Sequence, residues 1–204
     1  MPTPSPNTKA LRPTRILFPK EYWSDHEDIQ TLAQDWVDSL ADWLGADKIE
    51  MSIESHWKET KPEEIGKGLY ETFNNSFIDL TFHGFWTYLA DFRREYGERF
   101  NANPYVCKVN QYAWDKGRVI PETRVQKALD EVSLHNSWFL NHVLNDDATI
   151  LVAPRYRLDF RDEYLSVPEY RVFDGWDSNY HAYLSGVPNI VVPSTIIYIH
   201  INSN

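Results

Sequence analysis

The 204-residue chain is poor in several things that active sites are commonly built from. One cysteine, Cys107, excludes an internal disulfide and fits a reducing, cytoplasmic setting. The eight glycines are scattered, with no Gly-Gly step, and only Gly66-Lys67-Gly68 brings two close together. That triplet lacks the strand-to-helix glycine pattern that lets backbone approach a phosphate, which argues against a nucleotide site. Long apolar runs are missing too: none approaches the ~20 residues of a membrane span. Positive charge is scarce, with twenty basic against thirty acidic residues and a formal charge of −10. A protein that releases counterions from a nucleic-acid backbone needs the opposite balance. The basic group Arg155, Arg157, Arg161 and Arg171 is interleaved with Asp159, Asp162, Glu163 and Glu169 and reads as a solvated loop.

Seven histidines remain as potential ligands, and no pair has the four-residue spacing of a helical zinc motif. His135 and His142, seven apart on one predicted helix, share a face but have no supporting carboxylate motif, so no metal or other cofactor is expected. Cys107 has no basic neighbourhood to lower its pKa and reads as a small buried thiol. A nucleophilic serine usually sits among glycines, because side chains would block its tight turn. Ser185-Gly186 comes nearest, but Val187-Pro188 after it reads as a buried turn. No catalytic residue is assigned.

Aromatic residues are what the chain has in quantity. They make up 15% of it within a 42% hydrophobic total, too apolar for a disordered chain. A Pro-rich leader occupies residues 1–14, one folded region 15–193, and an atypical tail 194–204. Arg15 to Pro19 reads as a buried strand. Apolar positions at Ile29, Leu32, Ala33, Trp36, Val37, Leu40 and Leu44 then trace a helix that Gly45 stops. Asp47 to Ile53 is extended, giving strand–helix–strand order and an α/β class with a mostly parallel sheet flanked by helices. Leu69 to Phe100 predicts a helical hairpin broken near Gly84. Another helix starts at Pro121, a favoured first-turn residue, and carries Val125, Ala128, Leu129, Val132, Phe139, Leu140 and Val143. Thr149 to Pro154 predicts a further buried strand, and a mixed-charge loop leads from Arg155 to Tyr180.

Three segments together resemble the C-terminal half of amidase-signature hydrolases, the fungal amidases in particular. The first is Pro13-Thr14-Arg15-Ile16-Leu17-Phe18-Pro19 with the helix and strand that follow. The second is the ordered series Trp57, Lys61-Pro62-Glu63-Glu64, Asp91-Phe92-Arg93, Asn103-Pro104-Tyr105-Val106 and Trp114-Asp115-Lys116-Gly117. The third is Leu184-Ser185-Gly186-Val187-Pro188 leading into Asn189-Ile190-Val191-Val192-Pro193. The resemblance spans about residues 13–193 and implies a partial amidase-signature-like fold. That family hydrolyses carboxamides with a Ser–cis-Ser–Lys triad, and none of its elements maps onto a position here.

By this resemblance the chain is a truncated relative or fragment of an amidase, inactive alone. It would supply sheet and one side of a cavity for a small amide ligand, with Trp176, Tyr180 and His181 as candidates for the wall. The alternatives are a non-catalytic interaction or scaffold module, or a lobe whose triad comes from another chain. Incomplete sheet edges, and the tail strand Ile196 to Ile201, would favour self-association.

Overall fold

A computed structural model of the chain describes residues 12–23, 27–145, 148–154 and 176–192. The expected leader up to residue 11, the loop 155–175 with its arginines, His26 and the tail strand lie outside these residues.

Three parallel strands form the sheet in the order β2-β1-β3, with β1 at Arg15–Pro19, β2 at Asp47–Met51 and β3 at Thr149–Leu151. The central residue Leu17 is in register with Ile49 on one side and Leu151 on the other. Alternation along β1 divides the core between two faces. Ile16 and Phe18 point into a cluster with Trp23, Ala33, Val37, Ala41 and Leu44, while Leu17 points into a second cluster. Parallel neighbours need a crossover, and helix α1, Glu27–Leu44, supplies it between β1 and β2. Its stop is at Gly45, whose φ of +64° a side chain would strain. The helix's inward face differs from the expected one at two places: Leu32 is 43% exposed, whereas Ala41 is buried.

The extended reading of Asp47 to Ile53 needs shortening, because Ile53 begins helix α2, Ile53–Thr60. Ser52 caps it, its hydroxyl accepting from the Ser55 N–H at 3.1 Å. The second core cluster is built where α2 meets helices α3 (Leu69–Phe73) and α7 (Glu122–Trp138). Trp57 stands at its centre, fully buried, edge-on to Phe73 at 5.2 Å and to Trp138 at 4.9 Å.

The predicted hairpin over Leu69 to Phe100 is in fact α3 followed by α4, Ser76–Tyr88, and α5, Ala90–Phe100. The sharp break falls at Leu89, and Gly84 continues within α4. Glycine is only mildly unfavourable in a helix interior, so it need not end one. Helix α6, Lys108–Arg118, crosses α4 so closely that a Cβ on Gly117 would collide with the Phe82 carbonyl oxygen. Gly117→Ala is therefore expected to push the two helices apart and to cost about 1–3 kcal/mol, read as a lower urea midpoint with an unchanged slope. Between α4 and α7, the Arg124 Nε donates to the buried Asp79 carboxylate at 2.5 Å.

Pro121 takes the cap position of α7 rather than its first turn. Beyond Trp138 the helix widens into a π segment, Phe139–Val143. That shift separates the two histidines expected on one face: His135 is fully buried, whereas His142 is exposed. Cys107, expected inside, is exposed. The short helix α8, Tyr180–Ser185, ends at Gly186 with φ +65°. After it, residues 187–192 have no regular secondary structure.

Candidate functional site

Four polar side chains from separate parts of the chain meet where α8 lies on α7. Tyr22 arrives on the 3₁₀ turn Lys20–Trp23 that follows β1. His135 comes from α7, and His181 and Ser185 stand four apart on α8, hence on one face. The Tyr22 hydroxyl is 2.5 Å from His181 Nε2. His181 Nδ1 is 3.0 Å from His135 Nε2, and His135 Nδ1 is 3.2 Å from Ser185 Oγ. Asn136 Nδ2 donates to the Ser185 carbonyl oxygen at 3.2 Å, a second polar tie between the helices.

A neutral imidazole offers one N–H donor and one acceptor nitrogen. Protons can therefore run from the Tyr22 hydroxyl through His181 and His135 to Ser185, or along the same path in reverse. Either direction satisfies all four ring nitrogens with both imidazoles uncharged. One added proton still fits, the His181 Nε2–H then donating to the Tyr22 oxygen, and only a second would set two N–H groups face to face between the rings. The geometry thus bars two charges and fully satisfies the neutral pair.

Apolar surroundings favour that same state. Phe139 is stacked against His181 at 4.7 Å and against His135 at 5.4 Å. Phe73 meets His135 edge-on at 5.1 Å, and Trp176 meets His181 at 5.0 Å. Burial holds His135 down at about 3. Burial first, and then His135 beside it, holds His181 well below the usual imidazole range. The Tyr22 phenol is raised well above its ordinary value by burial, followed by Tyr70 and Glu21. Tyr70 is pushed up to about 12, by burial and then by Glu21 and Glu54.

The Glu21 carboxylate also fixes the turn that carries Tyr22. Its Oε1 accepts from the Ile53 N–H at 2.5 Å, from the Glu54 N–H at 3.2 Å and from the Ser52 hydroxyl at 3.2 Å. An anion at the start of α2 is favourably placed against the helix dipole and its free amides.

The three residues expected to form a pocket wall do come together. Trp176 is partly buried, and Tyr180 and His181 are 6% and 2% exposed. Trp176 meets Tyr180 at 5.8 Å, and Tyr180 in turn lies 4.4 Å from Phe77. Sequence reasoning missed Tyr22, His135 and Ser185 as companions of His181. One signal was available: Ala128, Val132, His135 and Phe139 follow helical spacing, which places His135 in an apolar stripe. For Tyr22 there was none, since 159 residues separate it from His181.

Hydroxyl, imidazole and second hydrogen-bonding group in series match the connectivity of a nucleophile, its base and an orienting residue. The chemical properties do not match. A general base works best with a pKa near the operating pH, and His135 lies far below that. Ser185 is only 5% exposed and His135 not at all, so the hydroxyl is enclosed. Fully satisfied buried networks of this kind hold elements in one arrangement, here α8 on α7 and both on the β1 turn. A groove of about 470 Å³ opens along α7 beside Ser133, Asn136 and Asn141. Among the described residues no three His, Cys, Asp or Glu side chains are grouped to hold a metal ion, and no helix is long and apolar enough to cross a membrane.

No family model, no curated protein and no solved structure matches the chain.

Proposed function

We propose that this chain is the supporting lobe of an amidase-type hydrolase, supplying sheet and cavity wall without a serine nucleophile. The observation that carries this reading is the enclosed Ser185–His135–His181–Tyr22 series, whose serine–imidazole pair is desolvated and too weakly basic to activate serine. The order of motifs resembling an amidase supports it, and so does the small parallel sheet with a helical crossover. Trp176, only partly buried, would face a small amide ligand, with Tyr180 and His181 buried behind it as support. The exposed run Ile190, Val191 and Val192 (82%, 62% and 53%) would pack against the rest of such an enzyme, and the outer strands of the sheet would be the route of any self-association. A single, exposed thiol at Cys107 fits the cytoplasm.

A panel of simple aliphatic and aryl amides tests the proposal. The purified chain is expected to release no ammonia or amine above the buffer rate. Turnover that disappears in Ser185→Ala would overturn it.

A further inference from the structure

We infer that helix α8 is an acid-released latch, lifting off α7 as a local event while the sheet and the other helices stay folded. The inference does not depend on the amidase reading.

Position makes α8 the element that gives first. It is six residues long, below the ~12–15 residues at which a helix begins to hold itself in water, so it persists only while docked. It takes no part in the sheet, and among the described residues it packs chiefly on α7 and on the π segment Phe139–Val143. Tyr180 and Leu184 supply its apolar burial, and its other two buried side chains are His181 and Ser185. Both of these are joined to His135 across the helix interface, at 3.0 Å and 3.2 Å, and the two imidazole rings are stacked at 5.2 Å. The titratable pair therefore stands on the seam that must open.

That seam tolerates one proton, passed from His181 Nε2 to the Tyr22 oxygen, and rejects a second, which would set two N–H groups face to face across 3.0 Å. With α8 undocked, both imidazoles meet water and take up protons near their ordinary value of about 6.5. Acid therefore favours the undocked form over the docked one, in which burial holds both groups below that range. Among the described residues no carboxylate is paired with either imidazole to offset this. Glu131, one turn before His135 on α7, is engaged by Ser76 and Lys127. Glu21 on the β1 turn and Glu54 on α2 accept from backbone amides. Glu71 on α3 pairs with Lys67, Asp79 on α4 pairs with Arg124, and Asp177 ahead of α8 accepts from Asn179. The other titratable side chains on these elements include Tyr22, Tyr70, Tyr180, Tyr183, His56 and His142, none of which is a carboxylate.

Native-state hydrogen exchange of the full chain, read by mass spectrometry and corrected for intrinsic rates, is the test. Amides of α8 are expected to exchange through an opening that low urea barely affects, whereas those of β1 and α6 follow the urea-sensitive global transition. Between about pH 7 and about pH 5 the α8 opening constant is expected to rise several hundredfold, the product of about 25-fold for each of two imidazoles freed to about 6.5. In the double variant His135→Phe, His181→Phe that rise is expected to vanish, and the parent profile decides by itself where that variant does not fold. Amides of α8 that open only with the global transition overturn the inference. So does a rise no larger than the ~25-fold of a single imidazole, or one that survives in the double variant.

Discussion

Acidification from about pH 7 to about pH 4.5 is expected to remove about 3 kcal/mol of folding stability through His135, with a further loss in the same direction through His181. In the unfolded chain both imidazoles take up protons near their ordinary value of 6.5, whereas in the folded chain His135 does so only near 3 and His181 is likewise held well below 6.5. Across that window the unfolded state binds more protons, so stability falls as pH falls. It is fully present above about 6.5 and disappears as the folded values are approached. Each residue contributes about 1.4 kcal/mol per pH unit, and a domain of this kind has only about 5–15 kcal/mol in total. The groups packed around the pair are Tyr22 and Ser185 at the ends of the series and Phe73, Phe139, Trp138 and Trp176 at its sides, with Tyr70 and Glu21 beyond Tyr22. Among the described residues, no side chain in direct contact is a carboxylate that would hold a protonated imidazole. Urea midpoints measured at successive pH values should begin to fall near 6.5 with an uptake approaching two protons. A profile flat down to the carboxylate range near pH 4 would show that the pair is not held neutral.

Trp57→Ala is expected to cost about 3–5 kcal/mol, the range for emptying a large aromatic site in a core. Trp57 is fully buried between Phe73 and Trp138 at the junction of α2, α3 and α7, and its Nε1 donates to the Lys67 carbonyl oxygen at 3.1 Å. The substitution removes both ring contacts and leaves that carbonyl without its indole donor. Trp57→Phe should cost less, because it restores most of the volume but not the hydrogen bond. Chemical denaturation of the three proteins will check the order. A Trp57→Ala midpoint within error of the parent would mean that the second core cluster is not centred where Leu17, Trp57 and Phe139 place it.

Much of the frame is legible in local pattern. The run Arg15 to Pro19, the amphipathic stretch ending at Gly45 and the short run at Thr149 correspond to β1, α1 and β3, because periodicity and a left-handed glycine act over a few residues. Boundaries failed where tertiary packing decides them. Ile53 leaves its alternating pattern to start α2, where Ser52 and Glu21 satisfy the first amides. Gly84 is carried inside α4 by the helices around it. The polar series was only half legible. His135 in an apolar stripe is a local signal, whereas its pairing with His181, 46 residues away, and the arrival of Tyr22 on the turn after β1 depend on how α7 and α8 pack.

Central here is the proposal that this chain is the supporting lobe of an amidase-type hydrolase without an activated serine. Incubation of the native protein with a fluorophosphonate, read by intact mass, tests it most directly. No adduct is expected over hours at neutral pH, because the Ser185 hydroxyl is enclosed and its imidazole partner is a poor base. Rapid labelling at one site, mapped to Ser185 and lost in Ser185→Ala or His135→Phe, would contradict the account.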